Sequence, residues 1–439
     1  IGIRCLYCKS KKIWHFTSLT LSKDNCMIIT RFRKFNTRDV YPGGHLDNDM
    51  CMAVRAGNRI FLRGQTGLDL NQKMIDPNDA AAQAEQAMQN AKVLLEEAGS
   101  SLDHVTMVTT YLTDSAYRTA VYKVVSKHLR GNHTVGTGLI VKGLAMPDMK
   151  VEIDLEAYVP EANEVKKYRL MNSKDWYGQA EINRDSAWLI DTGGEIYLRG
   201  QTGTEFDGKT MHGTGYTAED AGKQAHKAMQ NAQELLEEAG ASFDDVCRTR
   251  IYIADRAYRE PVYQAIGKHF GDTYPCSTGL IMRGFARPEI LFEIDMAIVR
   301  TNGTPHQRFR KFHTDNEYKD GQQLGMKFCK SVRAGNRVFL RGQTGTTLDG
   351  EFAAPGDPGA QADQAMQNIQ VLLEEAGASL KDIVKVSTYI QHRDHRKPVY
   401  EAIGKHLKGV FPCGTGLIVD GFAKPQILVE IDVDAVISG

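Results

Sequence analysis

The sequence predicts an α+β protein made of three tandem copies of one domain, each a mostly antiparallel mixed sheet with two helices on one face. Three observations predict it. "FLRGQTG" at Phe61–Gly67 returns as "YLRGQTG" at Tyr197–Gly203 and "FLRGQTG" at Phe339–Gly345. Three more blocks keep step in the same order, beginning in the first copy with "AMQNAKVLLEEAG" (87–99), "AVYKVVSKHL" (120–129) and "KVEIDLEAYV" (150–159). Inside each copy the apolar period alternates between that of a strand and that of a helix. Units this long are whole domains rather than solenoid turns.

The first copy justifies each element. "RAGNR" (55–59, repeated at 333–337) reads as a turn, because Gly-Asn tolerates positive φ. Ile60–Arg63 is a short strand entering a Gly turn. Between Asp79 and Ala98, residues Ala80, Ala84, Ala87, Met88, Ala91, Leu94 and Leu95 recur at helical spacing, and Gly99 stands where a C′ glycine belongs. "VTMVTTYLT" (105–113) is β-branched and strand-like, Tyr117–Leu129 is a second helix, and "VGTGLIV" (135–141) is a strand interrupted by glycine. In the last strand Val151, Ile153, Leu155 and Ala157 face one way, Glu152, Asp154 and Glu156 the other.

The chain therefore divides into an N-terminal extension of unassigned role (1–30) and repeats at 31–160, 165–300 and 306–439. The joins "PEANEVKK" and "TNGTPHQ" are short and polar, which keeps the copies side by side. Residues 1–26 lack the continuous apolar stretch of a signal peptide, and the first methionine is Met27. No apolar run reaches the roughly 18 residues of a membrane span.

Across 439 residues, 54 Lys and Arg balance 54 Asp and Glu, so no basic excess recruits nucleic acid or a membrane surface. Eight thinly spread cysteines fit a reducing cytoplasm better than a disulfide framework. Cys5-x-x-Cys8 alone has ligand spacing, and no second pair follows it. Nucleotide-binding glycine patterns are missing, and no cofactor is expected.

The ordered series of a strand running into x-Gly-Gln-x, a helix ending "LLEEAG", a "TYL" strand, a "VY" helix, a Gly-containing strand and a closing "VEID" resembles the Rid (RidA/YjgF) family of reactive-intermediate deaminases. The resemblance covers almost all of 31–438. It implies a chorismate-mutase-like fold and trimers with ligand sites in the clefts between subunits; here one chain would close its own pseudo-trimer. Pairing of two whole chains through outer surfaces stays open.

The resemblance carries a water-positioning glutamate over to Glu152, Glu293 and Glu430. It also implies an arginine on the fifth strand that grips a carboxylate. This sequence lacks it: the place falls on Gly136, Ser277 and Gly414 or, one residue later, on Thr137, Thr278 and Thr415. A pocket tyrosine of the family is replaced by Met50, Ser186 and Phe328. Arg63, Arg199 and Arg341 stand where relatives carry a small serine, so each copy has lost one cation and gained another on the neighbouring wall. We expect these arginines to bind an anionic ligand facing the glutamates, the alternative being a salt bridge that ties copies together. The threonines are candidate hydrogen-bond donors to that ligand.

Three functions follow from these residues. The first is a cofactor-free hydrolase or deaminase of a small anionic imine or enamine. The second is a non-catalytic metabolite-binding protein, which the lost arginine and tyrosine favour. The third and least favoured is an RNA-cleaving translation inhibitor. Arg118, Arg259 and Arg396 before "VY" read as helix-surface cations, and His128, His269 and His406 as answers to a helix dipole.

Overall fold

The computed structural model describes residues 27–40, 46–161, 165–176, 181–317 and 321–438. The Cys5–Cys8 spacing and the extension up to residue 26 lie outside them.

The first sheet runs in the order Ile29–Asn36, Asp49–Ala56, Arg59–Leu62, Val151–Tyr158, Val105–Leu112, Val135–Ile140. All neighbours are antiparallel except the last pair. The sheets containing Phe292–Val299 and Val429–Val436 repeat this plan. Gly57 and Gly335 both take φ 61° in the Gly-Asn turns.

Each sheet carries its helices on one face. Ala80–Glu97 starts at Asp79, whose carboxylate accepts the amide hydrogens of Ala81 and Ala82. Ala84, Ala87, Met88, Ala91, Leu94 and Leu95 are fully buried against the sheet, and Gly99 ends the helix at φ 72°. The second helix is Arg118–His128, preceded by the 3-10 turn Ser115–Tyr117. Its histidine does more than answer a dipole: His128 Nε2 lies 2.9 Å from Glu85, and His406 Nε2 lies 2.8 Å from Asp363.

Backbone hydrogen bonds close the three repeats into a ring. Ile140 N donates to Gly284 O (2.9 Å), Ile281 N to Gly421 O (2.9 Å) and Ile418 N to Gly143 O (2.9 Å). One apolar cluster collects equivalent residues from every copy, among them Tyr111, Tyr252 and Tyr389 with Leu139, Leu280 and Leu417. Burial of this shared core holds the ring closed, because separating the repeats would return its apolar surface to water.

Towards the centre the contacts become ionic. Glu195 Oε1 lies 2.6 Å from Arg59 Nε and 2.8 Å from Arg337 Nη1, joining all three repeats. Arg248 donates to both carboxylate oxygens of Asp434 (2.9 and 3.0 Å), Arg250 Nε donates to Asp432 (2.9 Å), and Lys385 Nζ lies 2.9 Å from Asp154.

Two cysteine pairs cross the interfaces at equivalent positions: Cys51 and Cys413, and Cys276 and Cys329, each with sulfurs 3.8 Å apart. All four are fully buried. Burial and the neighbouring thiol push Cys276 and Cys413 well above the ordinary thiol range, the opposite of an activated nucleophile. We expect native protein treated with iodoacetamide to remain unlabelled at these four positions and to label at all of them in denaturant, read by peptide mass spectrometry.

Candidate functional site

The repeated Arg-Gly-Gln is built around the glutamate of the last strand. A Cβ on Gly64, Gly200 or Gly342 would lie 1.9, 2.1 or 2.1 Å from Oε1 of Glu152, Glu293 or Glu430. Any other residue there would collide with the carboxyl group. The glutamine next to it fastens the turn: Gln65, Gln201 and Gln343 Nε2 donate to the carbonyls of Arg63, Arg199 and Arg341 at 2.6, 2.6 and 2.7 Å. Glycine makes room for the acid, and glutamine fixes the arginine beside it.

The neighbouring repeat completes each cleft with its fifth strand and second helix. Gly64 N donates to Gly414 O (3.1 Å) and Gly342 N to Ser277 O (3.3 Å). From the second helix come an arginine and a tyrosine stacked on each other: Arg118 over Tyr122 (4.8 Å), Arg259 over Tyr263 (4.8 Å) and Arg396 over Tyr400 (4.3 Å). These arginines are not the helix-surface cations the sequence suggested. They turn inward, and Arg259 is only 6% exposed. The missed signal was Arg-x-x-x-Tyr, which puts both side chains on one helix face.

Each glutamate thus meets two guanidinium groups. Burial, with the like charges of Asp154 and Asp432, pushes Glu152 and Glu430 up to about 8; the opposing pull comes from Arg63 and Arg396 on Glu152, and from Arg341 and Arg259 on Glu430. Glu293 is raised well above the carboxylate range by burial and Asp295, against Arg199 and Arg118. Each acid therefore holds its proton to higher pH than an exposed glutamate and is placed to donate it. Arg63, Arg199 and Arg341 also lie over Phe35, Trp188 and Phe312 at 5.5, 5.6 and 5.4 Å.

The threonines require a correction. Thr137, Thr278 and Thr415 donate their hydroxyl protons to Asp295, Asp432 and Asp154 of the next repeat, at 2.5, 2.5 and 2.6 Å. With that proton committed across the interface, they serve as links between copies rather than as free donors to a ligand. One residue earlier, Ser277 lines the cleft between repeats 2 and 3.

The clefts differ in size. Between repeats 2 and 3 a cavity of about 400 Å³ is lined by Arg259, Tyr263, Ser277, Arg341 and Glu430. Between repeats 3 and 1 the corresponding cavity, with Arg63, Glu152 and Arg396, measures about 60 Å³. Among the described residues, no three His, Cys, Asp or Glu side chains converge to hold a metal, and no helix is long and apolar enough to cross a membrane.

The chain is similar to known proteins one repeat at a time. A RutC family protein of Pyrococcus abyssi is 32% identical over 108 residues, which is 25% of this chain and 84% of that protein. The 3-aminoacrylate deaminase RutC of Acinetobacter baylyi is 32% identical over 107 residues, 24% of this chain and 84% of the relative. The 2-iminobutanoate/2-iminopropanoate deaminase of Dermatophagoides farinae is 23% identical over 110 residues, 25% and 84% of the two chains. Among solved structures, a YjgF/YER057c/UK114 family member from Mycobacterium tuberculosis is 25% identical, covering 30% of this chain and 99% of its own with a TM-score of 0.25. A chorismatase is 15% identical, covers 76% of this chain and 93% of its own, and has a TM-score of 0.49. The family model described as endoribonuclease L-PSP matches three times in succession, at 48–159, 180–300 and 323–437. The chain belongs to this L-PSP family, which is the Rid/YjgF group, and carries three copies of its domain.

Proposed function

We propose that the cleft between repeats 2 and 3 hydrolyses a small anionic imine or enamine to the corresponding carbonyl compound and ammonia, without a cofactor. One observation carries the reading: a buried carboxyl group, Glu430, raised to about 8, shares a 400 Å³ cavity with Arg259 and Arg341. The arginines would hold the substrate's carboxylate. Glu430 would give its proton to the substrate, forming an iminium ion from an imine at nitrogen or from an enamine at carbon. The carboxylate then takes a proton from water as its oxygen adds to the carbon. Returning that proton to nitrogen lets ammonia leave, and the carboxylate takes the hydroxyl proton as the carbonyl forms, so the acid is regenerated. Such proton transfer contributes typically about 10²–10⁴-fold. The deaminase names of two relatives support the reaction class.

Ammonia release from imino acids generated in situ, and from 3-aminoacrylate, tests this directly. The expected rate falls as pH rises through about 8, when Glu430 loses its proton. Non-catalytic binding is the second reading, favoured by Gly136, Ser277 and Gly414 in place of the family's fifth-strand arginine. It predicts thermal stabilisation by anionic metabolites with no ammonia released.

A further inference from the structure

The three clefts share a plan but differ in the space before the fifth strand. At the interface of repeats 3 and 1 that space holds Met50: a Cβ on Gly414 would meet its Cε at 2.4 Å. At the interface of repeats 1 and 2 it holds Arg184, whose Nη2 lies 2.7 Å from a Cβ placed on Gly136 and donates to Thr134 Oγ1 at 3.1 Å. Both side chains come from the repeat that supplies the glutamate. At the interface of repeats 2 and 3 the counterparts of Gly414 and Met50 are Ser277 and Phe328, and both line an open cavity. The Phe328 ring packs aside, against Tyr263 and Phe312, with centroids 6.2 and 6.1 Å away.

The residues around this opening are aromatic in repeat 3 alone. Phe328 stands where repeats 1 and 2 have Met50 and Ser186. Phe352 stands where they have Met74 and Met211, an equivalence fixed by matching backbone bridges: Leu68 to Met74, Thr204 to Met211 and Thr346 to Phe352. Both phenylalanines belong to the wall of the open cleft, together with Leu348 and Ile427. Phe352 and Ile427 pack in the apolar cluster shared by the three repeats, which fixes their side of the wall. Arg259, Arg341 and Glu430 line the same cavity. Its size suits two parts of a ligand at once. An apolar cavity of about 150 Å³ suffices for a benzene ring. At about 400 Å³ the open cleft can take such a ring and a short anionic head together, whereas its counterpart between repeats 3 and 1, at about 60 Å³, cannot take the ring.

We infer that the cleft of repeats 2 and 3 takes one organic anion per chain that bears an aromatic ring, and that Phe328 and Phe352 select for the ring. The inference rests on the reading of this cleft as an anion site and deepens it by naming the side chain of the substrate. The ring would lie in the space that Met50 and Arg184 fill in the other clefts, and its carboxylate would meet Arg259 and Arg341 beside Glu430. Aromatic walls favour an aromatic guest, because offset and edge-to-face ring pairs add to what burial alone contributes.

The test is calorimetric titration of the full chain with 3-phenyl-2-oxopropanoate, 4-methyl-2-oxopentanoate and 2-oxobutanoate. All three are stable monoanionic carbonyl compounds that differ only in the side chain, so binding is read without turnover. The expected result is saturation at one phenyl compound per chain, with affinity about tenfold or more above that of 2-oxobutanoate and the branched aliphatic acid in between. Phe328→Met, which puts the residue of the closed cleft into the open one, and Phe352→Met should each narrow the preference; Phe352→Tyr should retain it. Saturation near three per chain, no detectable binding of the phenyl compound, affinity for either aliphatic acid as high as for it, or a preference unchanged when both phenylalanines are methionine would each overturn the proposal. The unmodified protein decides stoichiometry and preference even if a variant fails to fold. One-to-one binding of the phenyl compound without ammonia release from any imine would defeat the hydrolase reading and leave this one standing. Equal turnover of aliphatic and aromatic imines would do the reverse.

Discussion

Replacing Asp434 by alanine is expected to destabilise the protein by about 3–5 kcal/mol, measured as the loss of unfolding free energy in urea. Asp434 is 5% exposed and accepts two hydrogen bonds from Arg248, with Arg337 Nη2 3.4 Å and Arg250 Nη2 3.5 Å away. Removing the carboxylate leaves the buried Arg248 guanidinium without its partner, whereas Arg337 keeps Glu195 and Arg250 keeps Asp432. Most of the loss is the cost of that uncompensated charge rather than the worth of the ion pairs. The double variant Asp434→Ala with Arg248→Met is therefore expected to recover part of it. Burial pushes the Asp434 carboxyl upward, but Arg248, Arg250 and Arg337 hold it far below the usual range. Its contribution is complete above the unfolded-state value and is lost only as pH falls below it towards the folded one.

Glu430→Gln is expected to separate activity from stability. Deamination in the cleft of repeats 2 and 3 should fall by about 10²–10⁴-fold, because the amide can neither give nor take the proton. Stability should move the other way at high pH. The folded-state value of Glu430, about 8, lies above the 4.5 of an unperturbed glutamate, so the folded protein binds the proton more tightly. Folding stability therefore declines as pH climbs from about 4.5 towards 8, and the penalty is complete above that. Glutamine carries no such penalty. The variant should match the parent near pH 5 and exceed it at pH 8.5, by on the order of 2–5 kcal/mol, read from denaturant unfolding at both values. A variant less stable than the parent at both values would mean that Glu430 is a structural acid.

Repetition made the fold legible. Four blocks in a fixed order, each with its own period, define strands and helices before any contact is known, and Asp79 and Gly99 mark the ends of the first helix. The place of Glu152 on the polar side of the last strand was readable from its alternation with apolar residues, whereas the role proposed for it came from the family resemblance. What escaped the sequence was contributed across an interface. Arg259 looks like a solvated helix cation until the neighbouring repeat covers it, and Thr278 looks like a ligand donor until Asp432 arrives from the next copy. The difference in cleft size was also hidden. It depends on where Met50 and Arg184 point, and their residue types give no hint of it.

The Arg59–Glu195–Arg337 contact has a consequence for symmetry. These are the same position in the three repeats, immediately before "IFL", "IYL" and "VFL". In an assembly of three identical subunits, every site on the rotation axis must carry the same residue, so three arginines or three glutamates would crowd there and repel. A single chain escapes that constraint and can place an anion between two cations, which are found 2.6 and 2.8 Å from it. The same freedom gives Met107, Arg248 and Lys385 at one equivalent position and Glu156, Ala297 and Asp434 at another. Covalent joining thus turned a symmetric ring into a heterotypic one with three non-interchangeable seams. A repeat cut out and asked to form its own homotrimer would meet its own charge at the axis.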